Sequence, residues 1–165
     1  KQKSKIASDR IKKINPDINV LYYPKKLNHK NINKIAKKYQ VLVDGSDNFK
    51  TKFLLNKFSL KFKKKLIVGA ISKFDGHVFT FNFTSKKSSC LKCFYQSEPS
   101  DEILNCETEG IFGSTANIIG GIQANETLKA ILNIGNNLKS NILILDLLNL
   151  NFRKVLYKKR KNCIC

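Results

Sequence analysis

Cysteines carry the most specific chemistry in this chain of 165 residues. Cys90 and Cys93 form a C-x-x-C, Cys163 and Cys165 form a second close pair at the end of the sequence, and Cys106 stands alone between them. Two short clusters that each supply two thiolates are what a tetrahedral Zn²⁺ takes, the ion tying two distant turns together. That assignment uses four cysteines and leaves Cys106 for other chemistry. Cys106 sits in the polar stretch Asn105-Cys106-Glu107-Thr108-Glu109-Gly110, ahead of a long helical pattern. Near a helix N-terminus and among lysines a thiol ionises more easily and becomes nucleophilic; inside a core it is a small hydrophobe. Spacing leaves both readings open.

A second candidate is the turn Asp44-Gly45-Ser46-Asp47-Asn48, which follows the apolar run Val41-Leu42-Val43. Ligands of open α/β sheets bind beyond the C-terminal ends of the strands, and a carboxylate there can hold Mg²⁺ against nucleotide phosphates. The simpler reading is that Asp47 caps the helix beginning at Asn48 or Phe49. Lys3 is one of 28 lysines, and on its own it reads as a solvated surface residue. His29 and His77 have no partner at metal or triad spacing, and no G-x-G-x-x-G or Walker-type loop occurs.

These residues need elements to position them. Apolar or small residues at Ile6, Ala7, Ile11 and Ile14 predict a helix over 3–14, stopped by Asn15-Pro16. A strand is expected over 18–23, a short basic helix over 31–39, and a buried parallel strand at Val41-Leu42-Val43. Helical spacing resumes over 49–63, followed by a buried strand over 66–71. This alternation is that of a doubly wound α/β layer structure. Residues 77–83 alternate as an added antiparallel strand, 115–132 form a long helix whose Gly120-Gly121 would permit close packing, and two strands finish the chain over 141–147 and 152–157. No repeat or linker divides the sequence, so one domain is expected.

At 42% hydrophobic the chain can bury a core. The most apolar stretch, 141–152, is broken by Asp146, Asn149 and Asn151 and is too short to cross a bilayer. The polar, charged start has no signal peptide, and with zinc-like cysteine spacing a reducing cytoplasm is expected. The net charge of +19 invites a nucleic-acid partner, yet 28 of the 31 basic residues are lysine and only Arg10, Arg153 and Arg160 are arginine. Lysine, asparagine, isoleucine and phenylalanine share A/T-rich codons, and the residue that reads bases and forks phosphates is nearly missing. Nucleic acid is not the expected partner.

Several segments then fall into one order. Lys1-Gln2-Lys3 with Arg10 and Ile14-Asn15-Pro16 matches a G-x-x-K helix that ends in L/I-N-P, and Val43-Asp44-Gly45-Ser46-Asp47-Asn48 matches a D-x-T-D-N turn, with Asn56 in the helix after it. Cys90-Leu91-Lys92-Cys93 matches C-Y-R-C, Cys106 through Gly113 matches C-x-x-x-G-V-x-G, and Gln123-Ala124-Asn125-Glu126 matches Q-A-x-E. In this order and spacing the chain resembles, along essentially its whole length, the adenylyltransferase family of MoeB, ThiF and HesA, bacterial relatives of ubiquitin-activating enzymes.

The resemblance implies a Rossmann-like, doubly wound α/β sheet of the ThiF type, with added antiparallel strands and a four-cysteine zinc site. Residues 1–165 would be the C-terminal two-thirds of a single such domain. It also implies ATP and Mg²⁺ as cofactors, with Zn²⁺ on Cys90, Cys93, Cys163 and Cys165. The expected reaction is adenylation of the C-terminal glycine of a ubiquitin-like sulfur carrier ending in Gly-Gly, for molybdopterin or thiazole synthesis, with pyrophosphate released. By motif position Lys3 would neutralise phosphate charge, Asp47 would hold Mg²⁺ with Asn48 beside the nucleotide, and Cys106 would attack or carry sulfur. A homodimer and a sulfurtransferase are the further partners the resemblance implies.

Departures from the pattern are specific. The family's glycine loop and its N-R-Q segment are not in this sequence, the terminal pair is C-x-C in place of C-x-x-C, and Lys52 stands where an arginine is common. Without a phosphate loop these residues alone are expected to be inactive. The alternative function is a non-catalytic, zinc-stabilised module that docks such a carrier.

Overall fold

The computed structural model describes residues 2–85, 88–95, 97–99, 110–163 and 165. In chain order its elements are α1 (Lys3–Ile14), α2 (Ile32–Ala36), β1 (Val41–Asp44), α3 (Phe49–Lys61), β2 (Lys65–Ser72), β3 (Asp75–Asn82), α4 (Leu91–Phe94), α5 (Gly113–Leu132), β4 (Asn141–Asp146) and β5 (Asn151–Leu156). The strands make one mixed sheet in the order β1-β2-β3-β4-β5. β1 and β2 run parallel, and the pairs from β2 to β5 are antiparallel. An α/β layer extended by antiparallel strands is the expected architecture.

Three consecutive residues of β2, Leu66, Ile67 and Val68, have no solvent exposure. A strand alternates its side chains between two faces, so such a run must be covered on both. Leu66 and Val68 pack with Phe53 and Phe58 of α3, while Ile67 packs with Ile119 of α5. α3 and α5 therefore sandwich the parallel part of the sheet, and its strand ends lie between them.

The glycines that permit close packing are on the sheet and not on the helix. A Cβ added at Gly120 or Gly121 of α5 would meet nothing within 4 Å. At Gly69 it would fall 2.6 Å from the Gln123 side-chain amide, and at Gly76 it would overlap Ile119. The helix comes down onto bare backbone in the middle of β2 and near the start of β3.

Two other expectations change. Residues 18–23 pair with none of the five described strands, and an extended segment without a partner gains no ladder hydrogen bonds. α4 was not legible, since one turn is too short to show a helical period. α1 ends where expected: Asn15 turns extended before Pro16, whose ring disfavours helix at the preceding residue. Among the described residues no helix is long and apolar enough to cross a membrane.

Candidate functional site

β1 delivers Asp44 to the end of the sheet with 2% exposure, and the chain then turns through Gly45, Ser46 and Asp47 into α3. A buried carboxylate requires partners. Asp44 Oδ2 accepts a hydrogen bond from Lys52 Nζ at 3.1 Å, and Oδ1 accepts the Ser46 N–H at 3.0 Å. Lys52 also donates to the Ser46 carbonyl at 2.7 Å and to the Gly69 carbonyl at 2.6 Å. From the other side of the sheet, Gln123 Nε2 donates to the Asp44 carbonyl at 2.8 Å. β1, β2, α3 and α5 thus all hold this one turn.

Asp47 stands exposed at its tip. The cap of α3 is not Asp47 but Asn48, whose Oδ1 accepts the Thr51 N–H at 2.8 Å while its Nδ2 donates to Asp47 Oδ1 at 3.0 Å. The physical reason is position: the helix begins at Phe49, so the residue with extended backbone just before it is Asn48. The Asn48 amide holds the Asp47 carboxyl below its usual range. Its own backbone N–H and the ammonium groups of Lys3 and Lys26 act in the same direction. Lys3, at the first turn of α1, is near enough for its charge to act on Asp47. A cleft of about 70 Å³ opens beside the turn, lined by Ser46, Asp47, Gly69, Ile111 and Gln123 among others. Carboxylate, cations and a cleft beyond parallel strand ends can bind a metal-complexed phosphate ester.

The second site is the cysteine cluster. Cys90 and Cys93 are buried at α4, and the last residues of the chain bring Cys163 and Cys165 to them. Sγ separations are 3.5 Å for Cys90–Cys163, 3.4 Å for Cys93–Cys165 and 4.0 Å for Cys90–Cys93, and all four sulfurs lie within 4.8 Å of one another. Thiolates on a tetrahedral Zn²⁺ with bonds of about 2.3 Å sit about 3.8 Å apart. The donor set and its spacing fit a tetrahedral metal ion, and the C-x-C spacing does not prevent it, since each of its thiols meets a different member of the first pair. Burial pushes the Cys90 thiol up to about 11 and raises Cys165 as well. Burial opposes ionisation of Cys163 too, but hydrogen bonds from the Cys165 backbone and from neighbouring thiols outweigh it and bring this group to about 7. Only a cation can make all four thiolates at once.

One helix links the two sites. Asn56, buried on α3, accepts the Leu91 N–H of the cysteine turn at 3.0 Å, one turn beyond Lys52. On α5, Glu126 accepts from Thr80 Oγ1 at 2.6 Å, from Asn137 Nδ2 at 3.0 Å and from the Leu138 N–H at 3.0 Å, and pairs with Lys129. Gln123 and Glu126 therefore tie the helix to the end of β1, to β3 and to the connection that leads into β4. Cys106 lies outside the described residues.

Lys26 and the bonding of Lys52 were not found by reading the sequence. Lys26 carries no signal. Lys52 does: with Phe49, Phe53 and Asn56 it forms the i, i+3, i+4, i+7 stripe that turns inward, and a lysine on such a stripe must be paired.

The ThiF family model matches residues 1–165. A sulfur carrier protein adenylyltransferase from Thermus thermophilus is 33% identical over 165 residues, which is 98% of this chain and 61% of that protein. The adenylyltransferase and sulfurtransferase MOCS3 of Drosophila virilis is 34% identical over 164 residues, covering 97% of this chain and 36% of the fly protein. Among solved structures, that of Escherichia coli MccB with ATP superimposes with a TM-score of 0.81 at 15% identity, over 99% of this chain and 50% of that one. The chain thus spans less than two thirds of the length of these relatives.

Proposed function

From the premise that the chain belongs to the ThiF family, we propose that it forms part of an enzyme that adenylates the C-terminal glycine of a ubiquitin-like sulfur carrier. In the reaction a carboxylate oxygen of the carrier's terminal glycine attacks the α-phosphorus of ATP. The bond to the bridging oxygen breaks, pyrophosphate leaves with the electron pair, and an acyl-adenylate remains for sulfur transfer. Mg²⁺, held by Asp47, would offset phosphate charge. Lys3 donates its positive charge to the phosphoryl oxygens as negative charge builds on them, an electrostatic role that costs no reorganisation if the group is already in place. Asn48 orients the Asp47 carboxylate and starts α3. Zn²⁺ on Cys90, Cys93, Cys163 and Cys165 would tie the end of the chain to α4, away from the phosphates.

The observation that carries this reading is Asp47, exposed at the tip of the turn, lining a cleft beyond the parallel strand ends and within electrostatic reach of Lys3. In this reading the phosphate-cradling loop comes from outside these 165 residues. The test is ATP–pyrophosphate exchange by the full-length protein with carriers ending in Gly-Gly. Exchange that depends on carrier supports the proposal. Carrier binding without exchange would replace it with a docking module.

A further inference from the structure

Lysine is rarely buried, because an ammonium loses much hydration free energy away from water. Lys52 is 1% exposed, and its side chain is among the largest fully buried in the chain. An ammonium has three N–H donors. Here three acceptors surround it, from the end of β1 (Asp44 Oδ2), from the turn (Ser46 carbonyl) and from the middle of β2, just past its pairing with β1 (Gly69 carbonyl). Every donor is used within the protein, so Lys52 has none left for a phosphate.

What the three bonds do is fix a frame. Asp44 and Ser46 are tied on one side of Asp47, and Asn48 is tied into α3 on the other. Asp47 is the one exposed carboxylate at the tip, with its orientation set by residues that cannot shift independently. Gln123, reaching the Asp44 carbonyl over bare Gly69, closes the frame from α5.

We propose that Lys52 is a positioning residue for nucleotide-bound metal: it holds the end of β1 and the adjoining middle of β2 against the turn and so presents the Asp47 carboxylate. This rests on the reading of Asp47 as the metal-binding carboxylate. An arginine, common at this position in the family the chain resembles, would have to meet the same acceptors from a different geometry. A planar guanidinium spreads five donors over three nitrogens, whereas the three acceptors converge on a single one.

The experiment uses Mn²⁺ as the probe, with its affinity in the presence of ATP measured by electron paramagnetic resonance on the full-length protein. Lys52→Met alone leaves the buried Asp44 carboxylate without its cation and threatens folding. The informative variants are therefore the double change Asp44→Asn with Lys52→Met, which removes both charges at little change in volume, and Asp47→Asn, which removes the metal-binding carboxylate itself. Near-ultraviolet circular dichroism and a cooperative melt establish that each is folded. The expected result is a rise in the Mn²⁺ dissociation constant of about 10-fold or more, the scale of losing a group that orients a metal ligand, with metal-free ATP affinity unchanged. A purely structural lysine would move the melt and leave the metal affinity alone. Wild-type Mn²⁺ affinity in the folded double variant overturns the positioning role by itself. Wild-type affinity in Asp47→Asn overturns the reading of Asp47 and the inference with it.

Discussion

α3 links the two candidate sites, yet the two are built on opposite principles. At its N-terminal end, the turn from Asp44 to Asn48 is held by a finished set of hydrogen bonds in which the buried donors and acceptors of Asp44, Ser46, Lys52 and Gln123 are matched within the chain. Further along, Asn56 leads to four cysteines whose sulfurs crowd together with the thiols of Cys90 and Cys165 held away from ionisation. The turn is complete without a ligand and offers only Asp47, with its neighbouring ammonium groups, to the outside. The cluster asks for a cation. A site that must bind and release substrate benefits from a rigid frame that does not depend on it, whereas a structural metal site can store its stability in the ion.

Removing metal is the sharpest way to test that contrast, and it carries the largest expected effect. An ion present at about 1,000 times its dissociation constant contributes about 4 kcal/mol to folding. In a chain of this size that is roughly 10 °C of melting temperature. Chelation of the zinc-loaded protein, followed by calorimetry, should lower the melt by about this amount, and Cys163→Ser should reproduce it. Mn²⁺ binding at the turn should stay unchanged at temperatures below the melt. If it falls in step, the Asn56 link transmits more than placement and the two regions are not independent.

Asp47→Asn should behave in the converse way. Loss of a pre-placed charged group at a reacting phosphate costs about 3 kcal/mol of transition-state stabilisation, or 10²- to 10³-fold in exchange rate. Because Asp47 is exposed and is not the helix cap, the melting temperature should move little, within the range of about 0.5 kcal/mol typical of surface changes. Lys3→Ala should follow the same pattern. A large fall in stability with intact exchange would break the assignment of the turn as the reactive site.

This contrast also explains what the sequence made legible. Cys90, Cys93, Cys163 and Cys165 could be grouped from spacing because thiolate chemistry is carried by residue type, and few other roles compete for it. β1, β2 and α3 were legible from apolar runs and helical periods, since those patterns are what burial selects. The frame around Asp47 was not. Lys52 is one lysine among 28, and only its place on an inward stripe distinguishes it. The capping roles of Asp47 and Asn48 differ by one residue, within the uncertainty of any helix boundary. Gly120 and Gly121 drew attention as a pair, while the close approach falls at Gly69 and Gly76, where the need arises from a helix distant in sequence. Local patterns report local constraints; contacts that span more than forty residues leave no local mark.

Gly69→Ala probes that long-range constraint with a smaller effect. The new methyl would sit 2.6 Å from the Gln123 amide, so α5 or Gln123 must shift. Overpacking of this kind costs about 1–3 kcal/mol. Since Gln123 also bonds the Asp44 carbonyl, urea unfolding should show the lost stability and Mn²⁺ affinity should weaken with it. Gly120→Ala, on the open side of the same helix, should be neutral or stabilising, because alanine favours helix over glycine by about 1 kcal/mol. Equal effects at the two positions would contradict the described seating of α5.

Asn48→Ala separates the two functions that meet in one side chain. Loss of the cap to Thr51 should cost about 1 kcal/mol of stability, independent of pH through the neutral range. Loss of the amide that donates to Asp47 removes the foremost cause of its lowered pKa, so the Asp47 carboxyl should rise toward its ordinary value. The sign for catalysis follows: a reaction that needs ionised Asp47 loses activity on its acid side at a higher pH in the variant than in the wild type. The sign for stability differs. A depressed folded pKa stabilises above the unfolded value and loses that contribution as pH falls through the folded one, so the gap between the two proteins should narrow in acid. Because Asp47 is exposed, solvent screens this term and the narrowing should be slight. An acid limb that stays fixed while stability falls would leave Asn48 as a cap alone, and would mean that Lys3 and Lys26, not the turn, set the charge state of Asp47.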